Sequence, residues 1–468
     1  KPLSQKILFT LNHARDFVNQ SVTRITRVRA AVDILPWNNE YTDKLGARFS
    51  KRVIDTLMYI NNLDDTFENL VREAKLCGES YIFTEWDPYI GDIHPLFNQL
   101  QEEASYGKIK IEKDPNTGEE YFTSSEGDSI KLETVKRVGD VSYDCPLPWM
   151  VLVEPKFKWK DVDYIFKLKL KHIDEVRAEN PGISIPDSAM LRKENKGHYG
   201  SAFGYGDWVI QTEFYHKGHR FLDKGYYARY IPGCLLAATD LPYSHRELPV
   251  SRFTDFDDPS NLHGVSFLED LRPPLILYNK LMSLMYRNIA IGAHPKIAVP
   301  EGSINIQAMA NAPLIFEYEG MIKPELMTFQ TIGNEVFSYS DKIMSDVTKL
   351  SGTFAQSRGS AVPNARATGI LNFYEEQEEL RESSQLKKYD KLIEKVCKQS
   401  LGTAGDLYKE DDGRTIRVLG KNNSYKIRKL NDVAKLSGPY DVRTTRTSAL
   451  AESKQGRIDQ IQTLSTVA

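Results

Sequence analysis

The stretch NLHGVSFLEDLRPPLILYNKLMSLMYRNIAIGAHP, residues 261–295, predicts a helix that is apolar around most of its circumference. Ser266 and Glu269 have the spacing of a capping box, so we expect the helix to begin directly after Ser266. Pro273 and Pro274 predict either a kink or a new helical start within the stretch. The helix is too charged to span a membrane and too apolar for the outside of a soluble monomer. Other elements must therefore cover it.

Two apolar stripes and one cationic stripe follow this helix. The first apolar stripe has the alternating spacing of a coiled coil and contains Leu271, Leu275, Tyr278, Met282, Met285 and Ile289. The second lies roughly 120° further around the axis and contains Leu277, Leu281, Leu284 and Ile291. The cationic stripe contains Arg272, Lys280 and Arg287. Two interpretations remain open: a central core helix of one domain, or a helix packed between two copies of itself in a ring.

The composition indicates an ordinary soluble chain. Its 468 residues are enough for two or more domains, with 41% hydrophobic residues, 27% charged residues and a net charge of -3. Without a global basic excess, any contact with nucleic acid must come from local segments. The four cysteines are scattered without metal-binding spacing, which is typical of structural thiols in a reducing compartment. Because the chain does not begin with Met and its last helical stretch stops abruptly, we expect the full-length protein to extend beyond both ends.

The remaining segments predict an α+β organisation. Helices are predicted at 5–31, 43–78, 333–350 and 368–400, and short strands alternate with turns between 107 and 155. A polar, glycine-rich insertion is expected at 183–206, and a small strand-and-turn module at 295–330. The helix after that module has one apolar stripe, formed by Val336, Ile343, Val347 and Leu350. Two helices around a small β module predict an antiparallel pair with a tip.

The loop GTFAQSRGSAVPNARA, residues 352–367, contains Arg358 and Arg366 and no acidic residue. Its small residues predict flexibility, and its cations are spaced for contact with phosphates rather than for reading bases. A plain surface loop is the alternative interpretation.

Few residues suggest catalysis. Neither Gly-Lys pair is followed by Ser or Thr, so no phosphate-binding loop of the Walker A type is predicted. Asp255, Asp257 and Asp258 resemble the acidic cluster of a nuclease or a cation site, and a solvated turn is the alternative. We predict no bound metal and no cofactor.

The order of segments resembles that of tailed-bacteriophage portal proteins, over about residues 40–445. LCGESYIFTEWD resembles the helix-to-strand passage of their N-terminal wing, and DYIFKLKLKHIDEVRAENP the strand and short helix that follow. LPYSHRELPVSRF leading into HGVSFLEDL is the most telling passage, since portals commonly carry a Pro-Tyr or Pro run before Gly-x-Ser and the first stem helix. KLSGTFAQSRG and ARATGILNFYEEQEEL resemble the passage through the tunnel loop into the long helix. The insertion at 183–206 has no counterpart in that family.

The resemblance implies an α+β, portal-type fold with an α/β wing, two antiparallel stem helices, a small β-containing clip and a helical crown that is truncated in this sequence. The implied regions are an N-terminal wing over 1–262, a first stem helix over 263–292, a clip over 293–330, a second stem helix over 331–351, a tunnel loop over 352–367, a long kinked helix and C-terminal wing over 368–445, and the start of the crown over 446–468.

The resemblance also implies a function without turnover. The family forms a dodecameric ring at one capsid vertex, through which double-stranded DNA is packaged and ejected, and which docks terminase and then the tail adaptor. Expected partners are further copies of the chain, DNA bound without sequence preference, terminase, tail adaptor and major capsid protein, with no membrane. The expected location is the portal vertex of the virion, after assembly in the host cytoplasm.

In that scheme Arg358 and Arg366 contact DNA, and Arg272, Lys280 and Arg287 form a cationic stripe on the first stem helix. The seam between subunits would consist of Leu275, Tyr278, Met282, Met285, Leu277, Leu281 and Leu284. Two alternatives remain open: a metal-dependent phage DNA-processing enzyme, such as a nuclease that uses the three aspartates, and another internal structural protein of the virion.

Overall fold

The computed structural model describes residues 10–27, 30–93, 95–106, 109–113, 120–124, 129–131, 137–180, 182–186, 208–219, 224–293, 296–298, 321, 325–327, 333–352, 368–409, 414–419, 425–430, 436 and 440–446. These residues form helices and antiparallel strands, which confirms the predicted α+β class. None of the described helices has both the length and the apolar character needed to cross a membrane.

The described helices and strands are as follows. In chain order the helices are α1 (His13–Thr26), α2 (Tyr41–Ile60), α3 (Leu63–Cys77), α4 (Pro95–Ser105), α5 (Ile173–Glu179), α6 (Phe267–Ala293), α7 (Asn334–Ser351) and α8 (Thr368–Leu407). The strands are β1 (Ala30–Pro36), β2 (Glu79–Asp87), β3 (Ile109–Lys113), β4 (Glu120–Ser124), β5 (Ser129–Lys131), β6 (Asp140–Asp144), β7 (Val151–Val153), β8 (Tyr164–His172), β9 (Trp208–His216), β10 (Tyr226–Ile231), β11 (Cys234–Asp240), β12 (Val250–Thr254), β13 (Phe256–Asp257), β14 (Gly264–Val265), β15 (Lys296–Ala298), β16 (Glu325–Met327), β17 (Thr415–Leu419), β18 (Tyr425–Lys429) and β19 (Tyr440–Arg446).

The chain divides into two compact units. The smaller contains Lys1–Ser21 and Phe267–Arg381, and the larger contains Val22–Ser266 and Glu382–Ala468. The resemblance implied a single wing over residues 1–262, whereas the described residues 10–21 group with the predicted stem helices. The reason is packing: Phe17 of α1 is buried among residues of α6 and α7.

Two antiparallel sheets enclose the main core of the larger unit. One has five strands in the order β11-β10-β9-β8-β7, and the other has three in the order β12-β2-β6. Apolar side chains from both sheets meet between them, including Tyr81, Phe83, Val151, Ile165, Tyr215 and Val250. Helix α5 covers another part of the five-stranded sheet through Ile173 and Val176.

Strand β1 pairs with the last described strand of the chain, β19, in antiparallel register with Ala30 opposite Arg446. The sequence predicted a single helix over 5–31, whereas α1 ends at Thr26 and the following residues form this strand. Local periodicity could not show the change, because the partner that makes residues 30–36 a strand lies at the other end of the sequence.

Gly78 makes the turn between α3 and β2 possible. It ends α3 with φ +95°, and a Cβ atom at this position would lie 2.3 Å from the carbonyl oxygen of Gly264. A hydrogen bond also holds this turn in place: the backbone amide of Asp255 donates to the Gly78 carbonyl oxygen (3.0 Å). Only glycine satisfies both the left-handed backbone and the close approach.

We expect Gly78→Ala to lower the free energy of unfolding of the larger unit by at least about 2 kcal/mol, through backbone strain and the forced displacement of Gly264. Urea denaturation followed by circular dichroism measures this. Gly182→Ala is the matched control, because Gly182 has an ordinary φ and nothing within 4 Å of a new Cβ. A loss at Gly78 no larger than that at Gly182 would contradict the strain argument.

Helices α6 and α7 form an antiparallel pair in the smaller unit. Leu271 and Leu275, near the start of α6, pack in one cluster with Ile343 and Val347, near the end of α7. Between the two helices along the chain, β15 pairs with β16 as a short antiparallel ribbon. The predicted order of helix, small β module and helix is therefore present in the described residues.

The bounds of α6 match the sequence closely. The helix begins at Phe267, directly after Ser266, and continues through Pro273 and Pro274 without a new start. At ~1.5 Å per residue its length is about 40 Å. The Ser266 hydroxyl, which the sequence assigned to capping, donates a hydrogen bond to the Lys75 carbonyl oxygen (2.7 Å).

Candidate interaction surface

One face of α6 is buried by its own chain. Leu271 and Leu275 pack against Phe17 of α1 and against Ile343 and Val347 of α7. This cluster is the core of the smaller unit in its described part. It holds α6 against α1 and α7 along the first apolar stripe.

The first apolar stripe is therefore internal from Leu271 to Met285, whereas Ile289 at its end is exposed. Leu275 and Met285 are only 7% and 5% exposed, and Tyr278 and Met282 are half-buried. The Tyr278 ring meets the His13 ring edge-on, with 5.6 Å between centroids. The prediction that Leu275 and Met285 contact a neighbouring subunit is corrected, because almost none of their surface is left to bury. The spacing of apolar residues within α6 does not show whether the same chain or another copy buries the stripe.

The second apolar stripe is different. Leu277 is exposed, and Leu284 is 60% exposed. Leu281, which lies between them in sequence, is half-buried and packs against the core around Leu275. The side chain of Ile291 lies outside the described residues. Of this stripe, Leu277 and Leu284 are thus the residues with surface available to a partner.

The outer face of α6 is defined here as Ile276, Leu277, Lys280, Leu284 and Arg287. All five are exposed, and at ~100° per residue they cover about 100° of the helix. Arg272 lies at its border and is exposed too, so the whole cationic stripe is at the surface. Three large apolar side chains exposed on one face are more typical of a contact surface than of a solvated helix face.

Helix α7 carries a second exposed stripe, which we name the α7 flank: Glu335, Tyr339, Asp346 and Leu350. At ~100° per residue the four fall within about 60° of each other, and all are exposed. The sequence placed Leu350 in the apolar stripe with Ile343 and Val347. That placement is corrected, because Leu350 lies in the last turn of α7 and is exposed, while the other two are buried.

Several predicted features lie outside the described residues. They are Arg358 and Arg366 with most of the loop at 352–367, most of the insertion at 183–206, most of the module at 293–330, and all of 447–468.

The three aspartates bind separate partners inside the larger unit. Asp255 is buried, 2.7 Å from Lys75 Nζ, and accepts a hydrogen bond from Gln385 Nε2 (2.8 Å). Asp257 pairs with Lys388 (2.9 Å), and Asp258 accepts hydrogen bonds from Ser260. Their carboxylates therefore do not converge on one point. In the described part of the chain, no group of three or more His, Cys, Asp or Glu side chains is arranged to hold a metal ion.

Three cysteines have a raised pKa. Burial raises the pKa of Cys145 and of Cys397 to about 12, and burial together with nearby Glu73 raises that of Cys77. A thiol with a raised pKa carries little thiolate at neutral pH and is a weak nucleophile.

A buried charge cluster escaped the sequence analysis. Lys167, on β8, is 0% exposed, and its Nζ lies 2.9 Å from Glu213, 2.5 Å from Glu85 and 3.2 Å from Asp144. Burial disfavours the ammonium, but Glu85, Glu213 and Asp144 together raise the pKa of Lys167 well above its ordinary value. Burial likewise raises the pKa of Glu213, yet Lys167 and Lys169 outweigh it and hold that pKa below the ordinary range.

The five-stranded sheet shows why that cluster was missed. On β8 and β9 the charged residues Lys167 and Glu213 lie on the face of the sheet that is turned toward the core. Tyr164, Phe166 and Phe214 lie on the opposite face and are half-buried. Phe166 and Phe214 are cross-strand partners with 5.0 Å between ring centroids, and Leu152 beside them is exposed. An antiparallel sheet ordinarily turns its apolar face inward, so the pattern alone predicts the wrong orientation here.

No known protein family matches the sequence, and no curated protein matches it either. The function of the chain therefore has to be argued from its residues and their geometry.

Proposed function

We propose that this chain is the subunit of a phage portal: a ring at one capsid vertex through which double-stranded DNA is packaged and ejected. The proposal describes a passive conduit that has no ATPase of its own and works with a separate terminase. It joins the segment order of the sequence to one structural observation, the antiparallel pair α6–α7 with exposed leucines on the outer face of α6.

The exposed leucines support a neighbour on that face. Burying apolar surface contributes about 25 cal/mol per Å², and Leu277 and Leu284 lie two turns apart on one line of the helix. A neighbouring helix pair would cover both at once. In a closed ring each subunit uses two different surfaces, so the outer face of α6 would meet a different part of the next copy.

The remaining roles in the proposal come from the resemblance. Arg358 and Arg366 would contact DNA phosphates without sequence preference. The region around the β15–β16 ribbon would meet terminase and later the tail adaptor, and the larger unit would face the major capsid protein. The subunits would assemble in the host cytoplasm and remain in the virion, twelve per ring if the family number applies.

Leu284→Asp tests the ring. The substitution places a carboxylate in the contact between copies, so we expect wild-type protein to form rings with a central hole and the variant to remain monomeric. Mass photometry and negative-stain images measure this. Because Leu284 is exposed within the chain, the unfolding midpoint should change little.

Leu76→Asp is the matched control, because Leu76 is also an exposed leucine on a helix, in the larger unit. We expect it to assemble like wild type. Rings that survive Leu284→Asp, or a wild-type chain that stays monomeric at every concentration tested, would contradict the proposal. Cleavage of double-stranded DNA with Mg²⁺, lost in Asp257→Ala, would instead favour the nuclease alternative.

A further inference from the structure

We infer that the outer face of α6 in one copy binds the α7 flank of the next copy. Charge pairs across this contact would fix the relative position of neighbouring subunits along the ring axis. The inference rests on the proposed ring and adds the partner surface that the ring leaves undefined. Its occupant is a second copy of this chain, and the argument for that occupant is the match of charges along the two helices.

The two surfaces are separate on the smaller unit, and each combines apolar and charged side chains. The outer face of α6 offers leucines and the cations Lys280 and Arg287, with Arg272 at its border, all exposed. The α7 flank offers Tyr339 and Leu350 with the acids Glu335 and Asp346. The α7 flank also borders the exposed Lys342, and the exposed Glu269 lies in line with the outer face of α6. Both surfaces therefore carry both signs of charge, and the match between them lies in where those charges fall along the two helices.

The antiparallel packing fixes which residues lie at the same height. Leu271 and Leu275 share a cluster with Ile343 and Val347, so one step forward along α6 corresponds to one step back along α7. Counted from that cluster, Asp346 lies level with Arg272, to within about one turn of ~5.4 Å. By the same count Glu335 lies between the heights of Lys280 and Arg287.

Ring symmetry carries this match from one copy to the next. Neighbours in a closed ring are related by a pure rotation, which leaves every residue at its own height along the ring axis. Where the helix pair runs along that axis, Arg272 of one copy therefore meets Asp346 of the next. Lys349 on α7 and Glu269 on α6 come level in the same way, with opposite charges.

The ion pair that Asp346 forms within its own copy competes only weakly with a pair to the next copy. Asp346 lies 3.4 Å from Lys349 in its own helix, but both side chains are more than half exposed. An exposed pair of this kind contributes little and is screened by salt. Asp346 is thus available to a cation that a neighbouring copy brings closer.

Charge reversal in two separate chains tests the pairing. Arg272→Glu alone and Asp346→Arg alone should each raise the protein concentration at half-assembly by at least about tenfold, because each opposes like charges in every contact of the ring. An equimolar mixture of the two variants should assemble within about threefold of wild type, since alternating copies restore an opposite pair in every contact. Mass photometry at low salt measures both.

Only a contact between copies predicts rescue by mixing, because a pair inside one chain would stay broken in both variants. Asp341→Arg is the control on the other side of α7, and it should assemble like wild type. Variants that assemble normally, or a mixture that fails to recover, would overturn the pairing. If wild-type rings form and Leu284→Asp abolishes them in the same assay, the proposed function stands while this inference falls. Absence of wild-type rings would end both.

Discussion

Lys167→Met is expected to lower the free energy of unfolding of the larger unit by about 3–5 kcal/mol at pH 7. The side chain keeps its apolar volume but loses the cation that neutralises Glu85 and Glu213. Both carboxylates are mostly buried beside Lys167, and the ammonium also lies 4.6 Å from the centre of the Phe83 ring. Without it the two carboxylates lose their buried counter-charge, and Asp144, which is more exposed, contributes less. Urea denaturation of wild type and variant gives the difference.

Lys169→Met provides the matched control on the same strand. Lys169 pairs with Asp144 (3.0 Å) and Glu213 (3.4 Å), but its side chain is 30% exposed. We expect a loss below about 1 kcal/mol. Equal losses at the two lysines would show that burial is not what makes Lys167 important.

The pH dependence gives an independent check on the Lys167 cluster. Lys167 holds the folded pKa of Glu213 below its ordinary value, so this carboxylate stabilises wild type at neutral pH and the contribution is lost as pH falls through the folded pKa. In Lys167→Met, burial without the cation should raise that pKa instead. The difference in stability should therefore begin to shrink above the ordinary glutamate pKa of about 4.3, where Glu213 of the variant takes up its proton, and should shrink further as pH falls through the folded pKa of wild type. A difference that grows on acidification would contradict the assignment.

We expect Asp255→Ala to lower the free energy of unfolding of the larger unit by about 3–5 kcal/mol, because it leaves the Lys75 ammonium buried without its counter-charge. The two side chains are 0% and 1% exposed and 2.7 Å apart. Gln385 bridges them, accepting from Lys75 Nζ (2.9 Å) and donating to Asp255 (2.8 Å), so that α3, α8 and the end of β12 share one polar node. Urea denaturation again measures the loss.

Two further variants separate charge from packing at this node. Lys75→Met combined with Asp255→Asn removes both charges and should recover most of the stability that the single variant loses. Asp257→Ala removes a neighbouring aspartate whose side chain is 64% exposed and should cost less than about 1 kcal/mol. A double variant as unstable as Asp255→Ala would show that the node depends on specific hydrogen bonds more than on charge balance.

The sequence predicted the helix pair well because its signals are local. The start of α6 follows from Ser266 and the apolar run after it, and α7 ends at Ser351 before Gly352, close to the expected bounds. Which face of α6 meets which partner could not be predicted. Leu275 and Leu284 have the same apolar character, and only the distant residues Phe17 and Val347 decide that the first is internal.

The sheets of the larger unit were harder to predict for a related reason. Strand β8 alternates between apolar residues and lysines from Phe166 to Lys171, but alternation does not state which side faces the core. Apolar preference favours the side of Phe166, whereas the charged side of Lys167 is the buried one, since Glu85 from another sheet completes its neutralisation. For Arg358 and Arg366, which lie outside the described residues, the predicted contact with DNA remains a prediction.

The pairing of β1 with β19 has a consequence for biosynthesis. At roughly 5–20 residues per second, the roughly 400 residues between the two strands take on the order of 20–80 s to leave the ribosome. Throughout that time the nascent chain carries β1 without its partner, and an unpaired strand edge is a template for association with other chains. Completion of the larger unit is thus tied to the synthesis of residues 440–446, so an interrupted chain that lacks them leaves the ribosome with that edge open.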